Sequence, residues 1–112
     1  MDIGEAVTYL YGKNRLRREC WKDENPRDPS FIYLVPGSVF PVTRKPLLGI
    51  FEEGTEIRYR SHIDAIKFDE NKKPVAWYYD FSQDDITAQD WCLYVSPDQL
   101  KLRLELESVS NT

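Results

Sequence analysis

Apolar residues along this chain fall into short runs of two different periods, separated by turn residues. Ile3, Ala6, Val7, Leu10 and Tyr11 recur at helical spacing, a single apolar stripe that predicts an amphipathic helix over residues 2–12. Asp2 and Glu5 stand at capping-box spacing, with Asp in place of the usual Ser or Thr, and Gly12 sits where a left-handed C-terminal cap belongs. So short a helix needs a sheet to lie on.

Over residues 13–21 (KNRLRRECW) strand alternation puts Arg15, Arg17 and Glu19 on one face and Leu16, Arg18 and Cys20 on the other. Arg18 thereby shares a face with core candidates. Either it meets an anionic partner or ligand, or its stem packs while its head reaches water. The charged, proline-bearing stretch 22–30 is a loop. The pattern then becomes the one on which the rest is organised, residues 32–64, where apolar runs alternate with turn signals. Strands are expected at 31–35, at 39–43 (confined to an edge by Pro41), at 56–60 and at 62–68, and turns at 36–38 and 53–55. The LLGIF run at 47–51 is apolar enough for burial on both faces, with Gly49 marking a bulge or close approach.

A hairpin connection at 69–72 leads to a return strand at 75–79. Ser82 is positioned to cap a short helix over 83–89, and Trp91 opens a late strand over 91–95. Leu100, Leu102, Leu104 and Leu106 alternate strictly with polar residues, which predicts an extra C-terminal strand that buries its leucine face on this core or on another chain. The class is α+β: one domain over 1–112, an N-terminal helix packed on a mostly antiparallel β-sheet, and a short second helix before the late strand.

Composition sharpens this picture at three points. With 112 residues there is room for one modest core. Aromatic residues reach 13 %, which suits either a binding surface or a core of large rings. A net charge of −4 speaks against a duplex DNA or RNA partner. Cys20 and Cys92 are far apart and in no metal-ligand spacing, in keeping with a reducing, cytoplasmic compartment, and no apolar run reaches membrane length.

The sequence offers little reactive chemistry. His62 and Asp64 project to one side of a strand, but Ser61, the nearest nucleophile, points to the other. Asp84 and Asp85 begin a helix, where carboxylates meet the positive end of the dipole. No catalytic residue, metal set or cofactor fingerprint is assigned. Three tryptophans, Trp21, Trp77 and Trp91, remain with Arg18, Arg58, Tyr59, Arg60, His62, Asp64 and Asp90. Indoles stack on bases, guanidiniums fork onto phosphates and carboxylates accept from ribose hydroxyls. That inventory suits a nucleotide pocket and equally an ordinary small sheet.

In the segments DIGEAVTYL, LRRECW, YLVPGSVFPVTRKPLLGIFEEGTEIRYRSHID, the return strand 74–77 and SQDDITAQDW, the sequence resembles the Thoeris anti-defence protein 2 family of small phage proteins. These segments cover most of residues 2–95; residues 96–112 form an extension. The resemblance implies a sponge rather than an enzyme, acting in the host bacterial cytoplasm. It would bind cyclic ADP-ribose isomers made by Thoeris TIR proteins, and in some members cyclic dinucleotides of the CBASS defence system. It also implies a homotetramer with pockets where subunits meet. By analogy Trp21, Trp77, Asp90 and Trp91, with Arg18, would hold the ADP-ribose-like ligand, and Arg58, Tyr59, Arg60, His62 and Asp64 a second nucleotide. The sequence departs from the family's pattern in the loop after Trp21 and in the interval from Trp77 to Asp90, both beside the implied pocket. Two other readings are a module that docks a host protein, and a cyclic-nucleotide hydrolase centred on His62 and Asp64.

Overall fold

A computed structural model describes residues 1–96. The first helix, α1 (Ile3–Tyr11), is closed by the expected capping box: Glu5 N–H donates to Asp2 and the Glu5 carboxylate reaches back to the Asp2 N–H. Its C-terminal end differs from expectation. Gly12 keeps a negative φ of −78°, and the left-handed residue is Lys13, at φ 66°. Gly12 N–H already bonds back to the helix, so the reversal falls one residue later, where the Asn14 side chain ties down the Tyr9 carbonyl.

Six strands follow before the second helix: β1 (Leu16–Arg18), β2 (Phe31–Val35), β3 (Ser38–Pro41), β4 (Glu56–Tyr59), β5 (His62–Phe68) and β6 (Pro74–Tyr78). Then come α2 (Gln83–Thr87) and β7 (Trp91–Leu93). Five strands make one antiparallel sheet in the order β6-β5-β2-β1-β7, and β3 and β4 form a separate two-stranded ribbon. The α+β class, the opening helix on the sheet and the short helix before the late strand are as the sequence pattern predicts. The leucine alternation at 100–106, expected as an extra strand, lies outside the described residues.

Register decides the facing of β5, which the sequence leaves ambiguous. Ile32 lies opposite Ala65 and Leu34 opposite Ile63. Together with Leu16 these form the helix-covered face, against Ala6 and Leu10 of α1 and the indoles of Trp21 and Trp91. Phe31, Tyr33, His62, Asp64, Ile66 and Phe68 belong to the other face. Side chains of alternate strand residues bury apolar area at roughly 25 cal/mol per Å² on such a face, so a slip of one residue would expose the whole set.

The segment between β2 and β5 leaves the sheet as the separate β3–β4 ribbon, whose Tyr59 meets His62 of β5 edge-on. Gly37 is the exit point. A Cβ there would lie 2.8 Å from the Tyr59 carbonyl oxygen and 3.3 Å from the Ser61 nitrogen, so only glycine lets the two chain crossings approach. The LLGIF run is not a buried strand. Residues 44–51 form successive turns, with Leu48 N–H to Arg44 O and Phe51 N–H to Leu47 O, and Gly49 takes φ 111°. Ile50 is 69 % exposed. A short apolar run carries no period of its own, and the turn chemistry of Pro46 and Gly49 overrides it. Gly49 serves through its positive φ rather than close packing, for no atom stands within 4 Å of where its Cβ would be.

The two ends of the sheet are finished differently. At β7, Met1 and Trp91 exchange backbone hydrogen bonds, Trp91 N–H to Met1 O and the Met1 ammonium to Trp91 O at 2.7 Å. At β6 every residue is exposed and the outer edge pairs with no strand among the described residues.

Candidate functional site

Arg18, placed by alternation on the core face, finds its anionic partners inside the chain. Its guanidinium donates to Asp90 at 2.8 Å and to Asp85 at 3.0 Å. Asp85 is the buried hub of this network. Its carboxylate also accepts from the Tyr79 hydroxyl at 2.5 Å and from Ser82 N–H at 3.0 Å, the latter completing the α2 capping box. Burial acts to raise the Asp85 pKa, but the hydrogen bonds from Tyr79, Ser82 and Arg18 outweigh it and hold it below the usual carboxylate value. Asp90 is depressed likewise: desolvation is overcome by Arg18 and by the Cys20 N–H. Tyr79 is pushed well above its ordinary value, by burial first and by its bond to Asp85 second.

Two of the three tryptophans belong to this keystone. Trp21 is 7 % exposed and Trp91 1 %. They pack edge to face at 5.5 Å, with Tyr79 and Phe81 closing around them, and the Trp91 indole N–H donates to the Asp85 carbonyl. Trp21, Trp91, Arg18 and Asp90, all ligand candidates from the sequence, are thus brought together, with their ring faces and charges committed to one another within the chain.

The second candidate group lies on the opposite face, where the ribbon re-enters the sheet. His62 stacks on Tyr78 at 4.5 Å and meets Tyr59 edge-on. Its Nε2 lies 3.2 Å from Asp64 and its Nδ1 3.3 Å from the Arg60 carbonyl. Tyr59, His62 and Asp64 are therefore one cluster. Arg58 and Arg60 are exposed beside it, and Arg58, adjacent to Tyr59 along β4, projects from the other side of the ribbon.

Trp77 stands apart from both groups. It lies opposite Ala65, whose small side chain leaves the indole room across the edge of the sheet, and it remains 36 % exposed. It lines a cleft of about 640 Å³ with Asp23, Glu24, Lys67, Phe68 and Glu70 among its walls. A second cleft of about 970 Å³ shares Asp23, Lys67 and Phe68 as lining and is also lined by Arg15, Arg17 and Lys72. Each is in the size range of small-molecule sites. Lys67 is a structural cation here, since its ammonium caps the carbonyls of Asp23, Asn25 and Asp28 and so fixes the proline loop that forms one wall. Arg15 lies over the rings of Phe31 and Tyr94, each at 5.4 Å, and Arg17 donates to the Trp21 carbonyl at 2.5 Å.

Sequence reasoning did not nominate Arg15, Arg17 or Phe68. The signal was present in the alternation that put Arg15 and Arg17 on one strand face. What was absent was any means of knowing that Phe68, from a distant strand, would share the same cleft. Among the described residues no group of three or more His, Cys, Asp or Glu is placed to hold a metal ion, and no helix is long and apolar enough to cross a membrane. No protein-family model matches the chain, and no curated protein matches it.

Proposed function

We propose that this protein is a binding module that sequesters a small, anionic, base-bearing messenger without breaking its bonds, of the cyclic ADP-ribose or cyclic dinucleotide type that the family resemblance implies. By the same resemblance it is a phage sponge for Thoeris and CBASS signals in the host bacterial cytoplasm, assembled as a homotetramer. One observation carries the reading: two clefts that share Asp23, Lys67 and Phe68 as lining residues hold an open indole, Trp77, with Asp23 and Glu24 in one and the guanidiniums of Arg15 and Arg17 in the other. The indole offers a stacking face for a base, the carboxylates accept from ribose hydroxyls, and the basic end takes phosphates. Sequestration asks for affinity and slow release. It asks nothing of His62, whose ring nitrogens both face acceptors and whose ring face is covered by Tyr78.

The test is a thermal-shift and calorimetry panel of cyclic ADP-ribose isomers and cyclic dinucleotides. A bound compound raises Tm by mass action. Trp77→Ala is expected to weaken it by about tenfold or more, the loss of one aromatic stack of about 1.4 kcal/mol. Ligand released by heat should return at unchanged mass. A cleaved product, or no shift with any compound, defeats the reading. The second outcome would favour a protein-docking module, which the exposed apolar side chains Val39, Ile50, Phe51 and Tyr59 of the ribbon segment support.

A further inference from the structure

Charge separates the two clefts more sharply than size does. The Trp77 cleft is acidic: Asp23, Glu24, Asp69 and Glu70 line it, against one cation, Lys67. In the neighbouring cleft Arg15, Arg17 and Lys72 join Lys67, and Asp23 is the one acidic residue among its described walls. Lys67 has no donor left for a ligand in either. An ammonium carries three N–H donors, and those of Lys67 are engaged by the carbonyls of Asp23, Asn25 and Asp28 at 3.1, 2.8 and 2.7 Å. The Asp69 carboxylate is also occupied, since it accepts from Asn71 N–H and Lys73 N–H in the hairpin. Asp23, Glu24 and Glu70 are exposed and form no ion pair among the described residues.

These carboxylates stand around an accessible indole. Val75 and Trp77 lie opposite Lys67 and Ala65 and so share one face of the sheet, beside the loop that carries Asp23 and Glu24. The face of an aromatic ring is its negative pole and attracts a cation, tryptophan most strongly. An ordinary purine is neutral and gains only stacking there. A purine alkylated on a second ring nitrogen carries a delocalised positive charge. It gains stacking, cation–π attraction and the field of the carboxylates together. A phosphate in the same place would meet three carboxylates that no cation offsets. We infer that the Trp77 cleft takes a cationic, N-alkylated purine, with its ring on the indole and its charge toward the acidic wall, and that it turns phosphates away. The inference rests on the binding reading for the cleft's being a ligand site, and it names the base that reading leaves open.

Nucleosides without phosphate isolate the base. The probe is 1-methyladenosine, a cation at neutral pH, set against adenosine and against N6-methyladenosine, which carries the same methyl group without the charge. In calorimetric and tryptophan-fluorescence titrations of the full chain at low salt, 1-methyladenosine should bind about tenfold tighter than either. Trp77→Ala should remove binding of 1-methyladenosine. Glu24→Gln combined with Glu70→Gln, two exposed positions, should bring the ratio of affinities close to one. Salt at about 1 M, which shortens the screening length to about 3 Å, should narrow the same ratio. Equal affinities for the three nucleosides, a ratio that the double Gln variant leaves intact, or no binding of 1-methyladenosine would overturn the inference. The cyclic-nucleotide panel tells this failure from failure of the underlying reading. Cyclic compounds that bind while the nucleosides show no preference keep sequestration and remove the cationic base. A preference for 1-methyladenosine without binding of any cyclic compound supports the inference and removes sequestration of such messengers.

Discussion

At the β7 end of the sheet, Trp91 is sealed from solvent, its indole N–H is held by Asp85 and its strand edge is closed by Met1. At the β6 end, Trp77 has an accessible ring, and among the described residues the strand edge beside it is unpaired. The two residues are of one type, on terminal strands of the same sheet, and the sequence reading nominates both for the same ligand. Their difference lies in what stands opposite. Around Trp91 the chain returns with α2, Trp21, Phe81 and the Arg18–Asp85–Asp90 network. Across from Trp77 in the neighbouring strand, among the described residues, stands the small side chain of Ala65. An aromatic side chain thus becomes core or surface by the company the topology brings it, and only the open one keeps a face for a ligand or a partner.

The largest expected effect is at the closed end. Trp91→Ala should lower stability by about 3–5 kcal/mol, the usual cost of emptying a large aromatic site in a core, measured as a fall in the urea midpoint at unchanged m-value. A loss below about 1 kcal/mol would mean that the two ends are not so different. Asp85→Asn should cost about 2–3 kcal/mol, since it weakens charge-assisted bonds to Arg18 and Tyr79 in a buried setting.

Asp85 and Asp90 also predict a pH dependence. Both carboxylates are depressed in the folded state below the ordinary value of 3.8. The unfolded chain therefore binds protons first as acid is added. The stabilisation is fully present above about pH 5 and is lost as pH falls through the folded-state values. Urea midpoints measured across this range should drop in acid, and Asp85→Asn should flatten that slope. An equal slope in the variant would remove Asp85 from the account.

The smallest effect belongs to the open end. Trp77→Ala should change stability by no more than about 1 kcal/mol, as for most substitutions at accessible positions. The same variant should remove the part of the tryptophan fluorescence that iodide quenches. Quenching that persists after this substitution would place accessible indole elsewhere and blur the contrast.

Much of the fold is legible from local pattern, because its causes are local. The stripe of α1 with its Asp2–Glu5 cap, the Ser82 cap of α2, the hairpin at 69–72 and the strand positions all depend on side-chain period and turn chemistry within a few residues. The same reasoning fails at 47–51, where apolar composition without a period is read as burial and the chain instead turns in solvent. It also fails at Gly12, which caps α1 with a negative φ while the left-handed residue is Lys13, one position later. For the site, the sequence shows that Arg18 needs an answer to its charge, but not that the answer comes from Asp85 and Asp90, 67 and 72 residues away.

The order of residues alone determined that this chain makes a helix, a set of short strands and a second capped helix, since each follows from interactions between near neighbours. Which face of β5 is buried, which indoles are spent in the core and which strand edge is left without a neighbour among the described residues were decided only in three dimensions. Those outcomes depend on strand order and register, which bring together residues that no local period connects.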